Sequence, residues 1–190
     1  MKFIYPLIFL IFASVLNAYF GNVLIPQLAP DRVVMHDISF AVLPYWESAA
    51  LVNDYILLFM FGVFIYLGYR NGFKNFDKYL WAFGWLYMLR AFTIVMNPVG
   101  ASWDGYDNRN IESLLSMALD HNGFFFSGHT GTVVLLSFFI SEMLPKFKWY
   151  LLVVALVVMG LIMIGRSHYL IDVYGGIVTA LLVYKLIVRK

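Results

Sequence analysis

The chain has no cysteine and very little charge. Without thiols it has no disulfide, no thiolate metal site and no cysteine nucleophile. Charged residues fill only 13% of its 190 positions, against 62% hydrophobic and 19% aromatic, and the mean hydropathy is +0.79. That balance excludes an ordinary soluble domain. No internal repeat or low-complexity segment breaks it up.

Long apolar runs take the place of what is missing. A bilayer core about 30 Å thick needs roughly 20 apolar residues per helical span, and six stretches qualify: 3–24, 50–69, 79–97, 129–145, 149–165 and 168–188. The sequence therefore predicts an all-α integral membrane protein, a six-transmembrane-helix bundle forming one catalytic domain over residues 1–190. Its opening, "MKFIYPLIFLIFASVLNA", also has the pattern of a signal peptide with Lys2 as the charged end and Ala18 at a cleavage position. The apolar run continues through Tyr19, Phe20, Val23, Leu24 and Ile25, so it is read as a retained first span.

Cations set the expected orientation. If six spans alternate, nine of the thirteen Lys and Arg (Lys2, Arg70, Lys74, Lys78, Lys146, Lys148, Lys185, Arg189 and Lys190) fall on one side, which places both termini in the cytoplasm by the positive-inside rule. The opposite side, periplasmic, extracellular or luminal, receives the two long connections. Residues 26–49 carry helix-breaking prolines. Residues 98–128 form the longest polar region, and Ile111, Leu114, Leu115 and Ala118 recur there at helical spacing, which predicts a short interfacial amphipathic helix.

Polar groups that a lipid-facing helix would not carry cluster toward that same side. In "FFFSGHTG", Ser127 stands where a helix N-cap belongs, ahead of Gly128 and His129. A helix N-terminus attracts anions through its unpaired N–H groups and dipole, and Gly128 lets a phosphate come close. In "GRSHYLID", His168 and Asp172 are one helical turn apart and share a face. A carboxylate that accepts one imidazole N–H fixes the tautomer and supports attack by the other nitrogen. Arg90, in "LYMLRAFT", lies about 10 Å below the outer end of its span. A guanidinium at that depth needs a partner; phosphate oxygens suit its fork, and an ion pair with Asp54 or Glu47 is the structural alternative. Tyr87 and Thr93, one turn either way, share its face.

Together "YMLRAFT", "SGHT" and "HYLIDV", with "LAPD" upstream, resemble the sphingomyelin synthase family, within the type 2 phosphatidic acid phosphatase superfamily. The resemblance covers about residues 28–188. It implies that His168 attacks phosphorus and forms a phosphohistidine, that Asp172 orients it, and that His129 protonates the departing oxygen and later activates the acceptor. It implies phosphate-binding roles for Arg90, Ser127, Gly128 and Arg166, no metal and no cofactor. Tyr87, Thr93, Tyr169 and Asp54 are candidates for substrate binding. The chain departs from the family pattern at Gly123, where the family has an aspartate, and at Leu170, where it has threonine.

The expected activity is transfer of a phospho-headgroup, phosphocholine or phosphoethanolamine, from a glycerophospholipid to ceramide or diacylglycerol. Two alternatives stay open: hydrolysis of phosphatidic acid-like or isoprenyl diphosphate substrates, and a non-catalytic lipid-binding or transport protein. The expected partners are membrane lipids, with no nucleic acid; a homo-oligomer is compatible with the sequence. His36 and His121 read as interfacial residues. Trp81, Trp85, Phe124, Phe125 and Phe126 read as interfacial belt and bundle packing.

Overall fold

The computed structural model describes residues 2–100 and 125–189. Among them it is 78% helix with no strand, an all-α bundle with five helices long and apolar enough to cross a membrane. The helix expected over 111–118 and His121 lie outside the described residues. The elements are α1 (Ile4–Leu28), short α2 (Ile38–Val42), α3 (Ala49–Arg70), α4 (Phe76–Met96), α5 (Gly128–Met143), α6 (Lys148–Ile164) and α7 (Leu170–Val188).

α5 is the exception among the expected spans. It has 16 residues, about 24 Å of helix, less than the bilayer core. Its surroundings explain this: nearly every residue from Gly128 to Ile140 is buried, so α5 is solvated by the other helices rather than by lipid. α3 and α6, in contrast, leave large apolar side chains such as Phe59, Tyr66, Leu152 and Leu156 exposed, as lipid-facing helices do.

Two contacts set the depth at which side chains meet. Phe9 of α1 sits in the gap above Gly84 of α4, so close that a Cβ there would lie 2.5 Å from the Phe9 ring, and it packs at a tilt against Trp81 and Trp85, with ring centroids 4.9 and 5.2 Å away. That register carries Asn17, two turns further along α1, to the level of Arg90. At the opposite end of the bundle, Phe64, Phe76, Tyr79 and Phe139 lock α3, α4 and α5 together, with Tyr79 and Phe139 stacked at 4.3 Å.

α5 and α7 approach most closely at Gly176. A Cβ there would lie 2.7 Å from the Ser127 carbonyl oxygen and 3.1 Å from the Gly131 nitrogen. Backbone cannot yield as a flexible side chain can. Gly176→Ala is therefore expected to cost about 1–3 kcal/mol through overpacking and to lower the thermal unfolding midpoint in detergent. An unchanged midpoint would show that the two helix ends have slack here.

Candidate active site

The two histidines lie close together. The His129 and His168 rings have centroids 6.4 Å apart and are inclined at 58°. His129 is the second residue of α5, whose start is fixed by Ser127: its hydroxyl oxygen accepts from the Thr130 N–H at 3.2 Å, a side-chain N-cap. The Ser127 N–H donates to the Asp172 carbonyl at 3.0 Å, tying the start of α5 to the first turn of α7. His168 lies in the turn between α6 and α7 and is only 6% exposed.

Each imidazole has its own carboxylate. His168 Nδ1 is 3.4 Å from Asp172 Oδ2, a long contact, and the same oxygen accepts the Tyr169 N–H at 3.0 Å, so Asp172 closes the helix start as well as facing the histidine. A proton on Nδ1, held toward Asp172, leaves the Nε2 lone pair for attack. His129 Nε2 is 3.1 Å from Asp54 Oδ1, contributed by α3. Asp54 thus pairs with a histidine.

Arg90 is 5% exposed, and two neutral oxygens are among its partners. Nε donates to the Phe126 carbonyl and Nη1 to Asn17 Oδ1, both at 2.9 Å. The guanidinium lies against the start of α5: a Cβ built on Gly128 would be 3.1 Å from Nε and 3.6 Å from Cζ. A larger residue there would make the guanidinium give way by a few tenths of an ångström. Thr93 donates its hydroxyl to the Arg90 carbonyl at 3.0 Å or the Phe125 carbonyl at 3.1 Å, and Tyr87 pairs with Thr132 of α5 at 3.2 Å. In the described structure Thr93 supports the segment leading into α5, and Tyr87 supports α5 itself.

The connections that follow α1 and α4 brace the same corner. The Tyr169 hydroxyl accepts the Met35 N–H at 3.1 Å and donates to the Gly100 carbonyl at 3.3 Å. Arg166 donates to the Phe40 carbonyl at 3.0 Å, and its guanidinium lies 5.7 and 5.3 Å from the rings of Phe40 and Tyr45, which attaches it to α2 and the segment after it. Asp37 accepts from the Ser39 N–H at 2.9 Å to cap α2, and from the Leu170 N–H at 2.6 Å at the start of α7. Burial pushes its carboxyl up, but the hydrogen bonds from Ser39 and Leu170 and the charge of His36 outweigh that, and the net direction is down.

Asn17, Asp37 and the Phe126 carbonyl were not among the residues singled out from the sequence. Asn17 left a trace there, a lone amide within an apolar span. Asp37 left another, an acidic residue two before Ser39 at a helix start. A main-chain carbonyl leaves none.

The arrangement gathers two imidazoles, two carboxylates and a buried guanidinium around the start of α5. Residues 122–189 match the family model for the PAP2 superfamily C-terminal region. The match supports the type 2 phosphatidic acid phosphatase superfamily, whose members are generally phosphatases or phosphotransferases. No curated protein matches the chain. The matched segment contains Ser127, His129, His168 and Asp172, whereas Asn17, Asp54 and Arg90 come from α1, α3 and α4 outside it. The bundle therefore adds an anchor and a second carboxylate to the two histidines of the matched segment.

The protonation of His168 follows from its surroundings. Burial pushes its pKa down, the hydrogen bond and charge of Asp172 push it up, and the charges of Arg90 and His129 push it down again; the net direction is below the ordinary histidine value. At neutral pH the ring is uncharged and its lone pair is available. If this lone pair attacks, activity falls only when the ring becomes protonated, so the acid limb of kcat/KM is expected below about pH 6.5. Asp172→Asn removes the influences that raise this pKa, so the limb moves further toward acid even as the rate falls. A limb that moved toward alkaline pH, measured over a buffer series, would contradict this reading of the pair.

Proposed function

We propose that the protein is a membrane lipid phosphotransferase that works through a phosphohistidine. The single observation that carries this is the pair of imidazoles 6.4 Å apart, each backed by its own carboxylate. Two imidazoles this close, each held by a carboxylate, suit a nucleophile and an acid–base group acting on one phosphorus.

In the first step His168 Nε2 bonds to phosphorus while the bond from phosphorus to the departing lipid oxygen breaks, and His129 gives that oxygen its proton. In the second step His129 takes a proton from an acceptor hydroxyl, whose oxygen displaces His168. Arg90, the start of α5 at Gly128 and its positive dipole end would stabilise the charge that builds on the equatorial oxygens. Asp54 holds His129, and Asp172 holds His168. The resemblance to sphingomyelin synthases supports a phosphocholine or phosphoethanolamine headgroup moving to ceramide or diacylglycerol, and the burial of His168 favours a lipid acceptor over bulk water. The charge asymmetry supports a site on the non-cytoplasmic side with both termini cytoplasmic.

The test is to incubate purified protein with headgroup-labelled phospholipid, with and without ceramide or diacylglycerol. Label on the second lipid is expected. Free phosphate released from phosphatidic acid, with no transfer, would make the protein a hydrolase; retained lipid without any turnover would make it a binding protein.

Asp54 gives this reading a second check. Asp54→Asn is expected to slow turnover of a lipid ester about 10- to 100-fold, because it weakens acid–base help to an alkoxide leaving group. A nitrophenyl phosphodiester, whose leaving group needs no proton, should be much less affected. Equal losses on the two substrates would assign Asp54 a purely structural role.

A further inference from the structure

The end of the bundle away from the histidines holds a feature that the chemistry above does not use. A cavity of about 1200 Å³ opens between α5, α6 and α7. It extends from Val134 to Glu142 on α5 and from Ile177 to Arg189 on α7, about 12–18 Å along the helices. That is roughly the depth of one leaflet of a bilayer core. Its walls are apolar, with Leu152, Leu156 and Leu181 exposed along it. Its polar groups gather at the far end: Lys148, Lys185 and Arg189 all line it there.

We infer that this groove binds an anionic phospholipid of the leaflet opposite the histidines, one acyl chain lying along the leucine wall and the headgroup phosphate held by Lys148, Lys185 and Arg189. Shape and charge agree on this occupant. The apolar length suits a hydrocarbon chain, and three cations outnumber the one carboxylate in the groove, Glu142. That carboxylate is already engaged, accepting the Tyr79 hydroxyl at 2.7 Å and the Tyr184 hydroxyl at 2.6 Å. Two of the cations stand beside aromatic rings at the membrane boundary, Lys148 5.2 Å from the centre of Trp149 and Arg189 5.7 Å from that of Tyr184. A lipid substrate whose phosphorus reacts at His168 would have its headgroup at the other membrane surface, so the two sites take different molecules.

The test is native mass spectrometry of the full chain, delipidated and then exposed to phosphatidylglycerol or phosphatidylcholine. The wild type is expected to retain phosphatidylglycerol preferentially. The variant Lys148→Gln/Lys185→Gln/Arg189→Gln, altered only at exposed positions, should lose that preference by about tenfold or more. Leu181→Trp, which fills the groove, should weaken retention of both lipids, and His168→Ala should retain phosphatidylglycerol as the wild type does. Equal retention of the two lipids by the wild type, an unchanged preference in the triple variant, or loss of retention in His168→Ala would each overturn the assignment.

Discussion

His168→Ala is expected to lower turnover by a factor on the order of 10⁴ or more while leaving the fold and lipid retention intact. The size follows from the role: a nucleophile cannot be replaced by positioning alone, and the substrate has no other covalent partner at that place. The fold should survive because the imidazole's contact to Asp172 is long, 3.4 Å, whereas the Asp172 carboxylate that closes the start of α7 also accepts the Tyr169 N–H at 3.0 Å and keeps that bond. Circular dichroism and the unfolding midpoint separate the two effects. An inactive variant that also unfolds early would leave the role of His168 to the conservative His168→Gln, which should be as inactive and better folded. Substantial activity in either variant would remove the nucleophile from the account.

The second large effect is expected at Arg90, and here stability and activity should fall together. Its guanidinium bridges Asn17 on α1 and the Phe126 carbonyl before α5, both at 2.9 Å, in a site only 5% exposed. Arg90→Ala leaves a buried amide oxygen and a buried carbonyl without their donor, at about 1–3 kcal/mol each. It also takes away the charge beside Gly128, for which a loss of about 10²–10³ in kcat is expected if that charge faces the transition state. Arg90→Lys separates the two roles. A lysine keeps the charge but not the fork, so it should recover part of the activity while the unfolding midpoint stays low. A lysine variant that recovered the midpoint without activity would make Arg90 a phosphate ligand whose structural bonds matter little.

What the sequence shows of this site is what lies close along the chain. Ser127 ahead of an apolar run reads as an N-cap, and His168 with Asp172 reads as a local pair, although His168 stands in the turn before the helix and not on its face. The relations that depend on how helices pack are harder to see. A buried arginine suggests a carboxylate or a phosphate, yet Arg90 meets the side chain of Asn17 from 73 positions earlier and a main-chain carbonyl. Asp54, noted as a candidate near its helix end, gains its meaning only once α3 brings it to His129.

The bundle itself was legible for the same kind of reason. Five spans announce themselves by length and apolarity, since each must satisfy lipid along its own surface. α5 is shorter than its lipid-facing neighbours because it is enclosed by protein, and enclosure cannot be read from a run of Val, Leu and Phe. The five-residue helix Ile38–Val42 was hidden among prolines, although Asp37 and Ser39 carry its cap.

The most direct test of the central claim is to trap the intermediate. Protein mixed with a phospholipid labelled in the phosphate and quenched within the first turnover is expected to carry an acid-labile label, and peptide mapping should place it on His168 and not on His129. The label should chase to an added acceptor lipid. A label on His129, or turnover with no covalent label under any quench, would contradict the assignment of His168 as the group that attacks phosphorus.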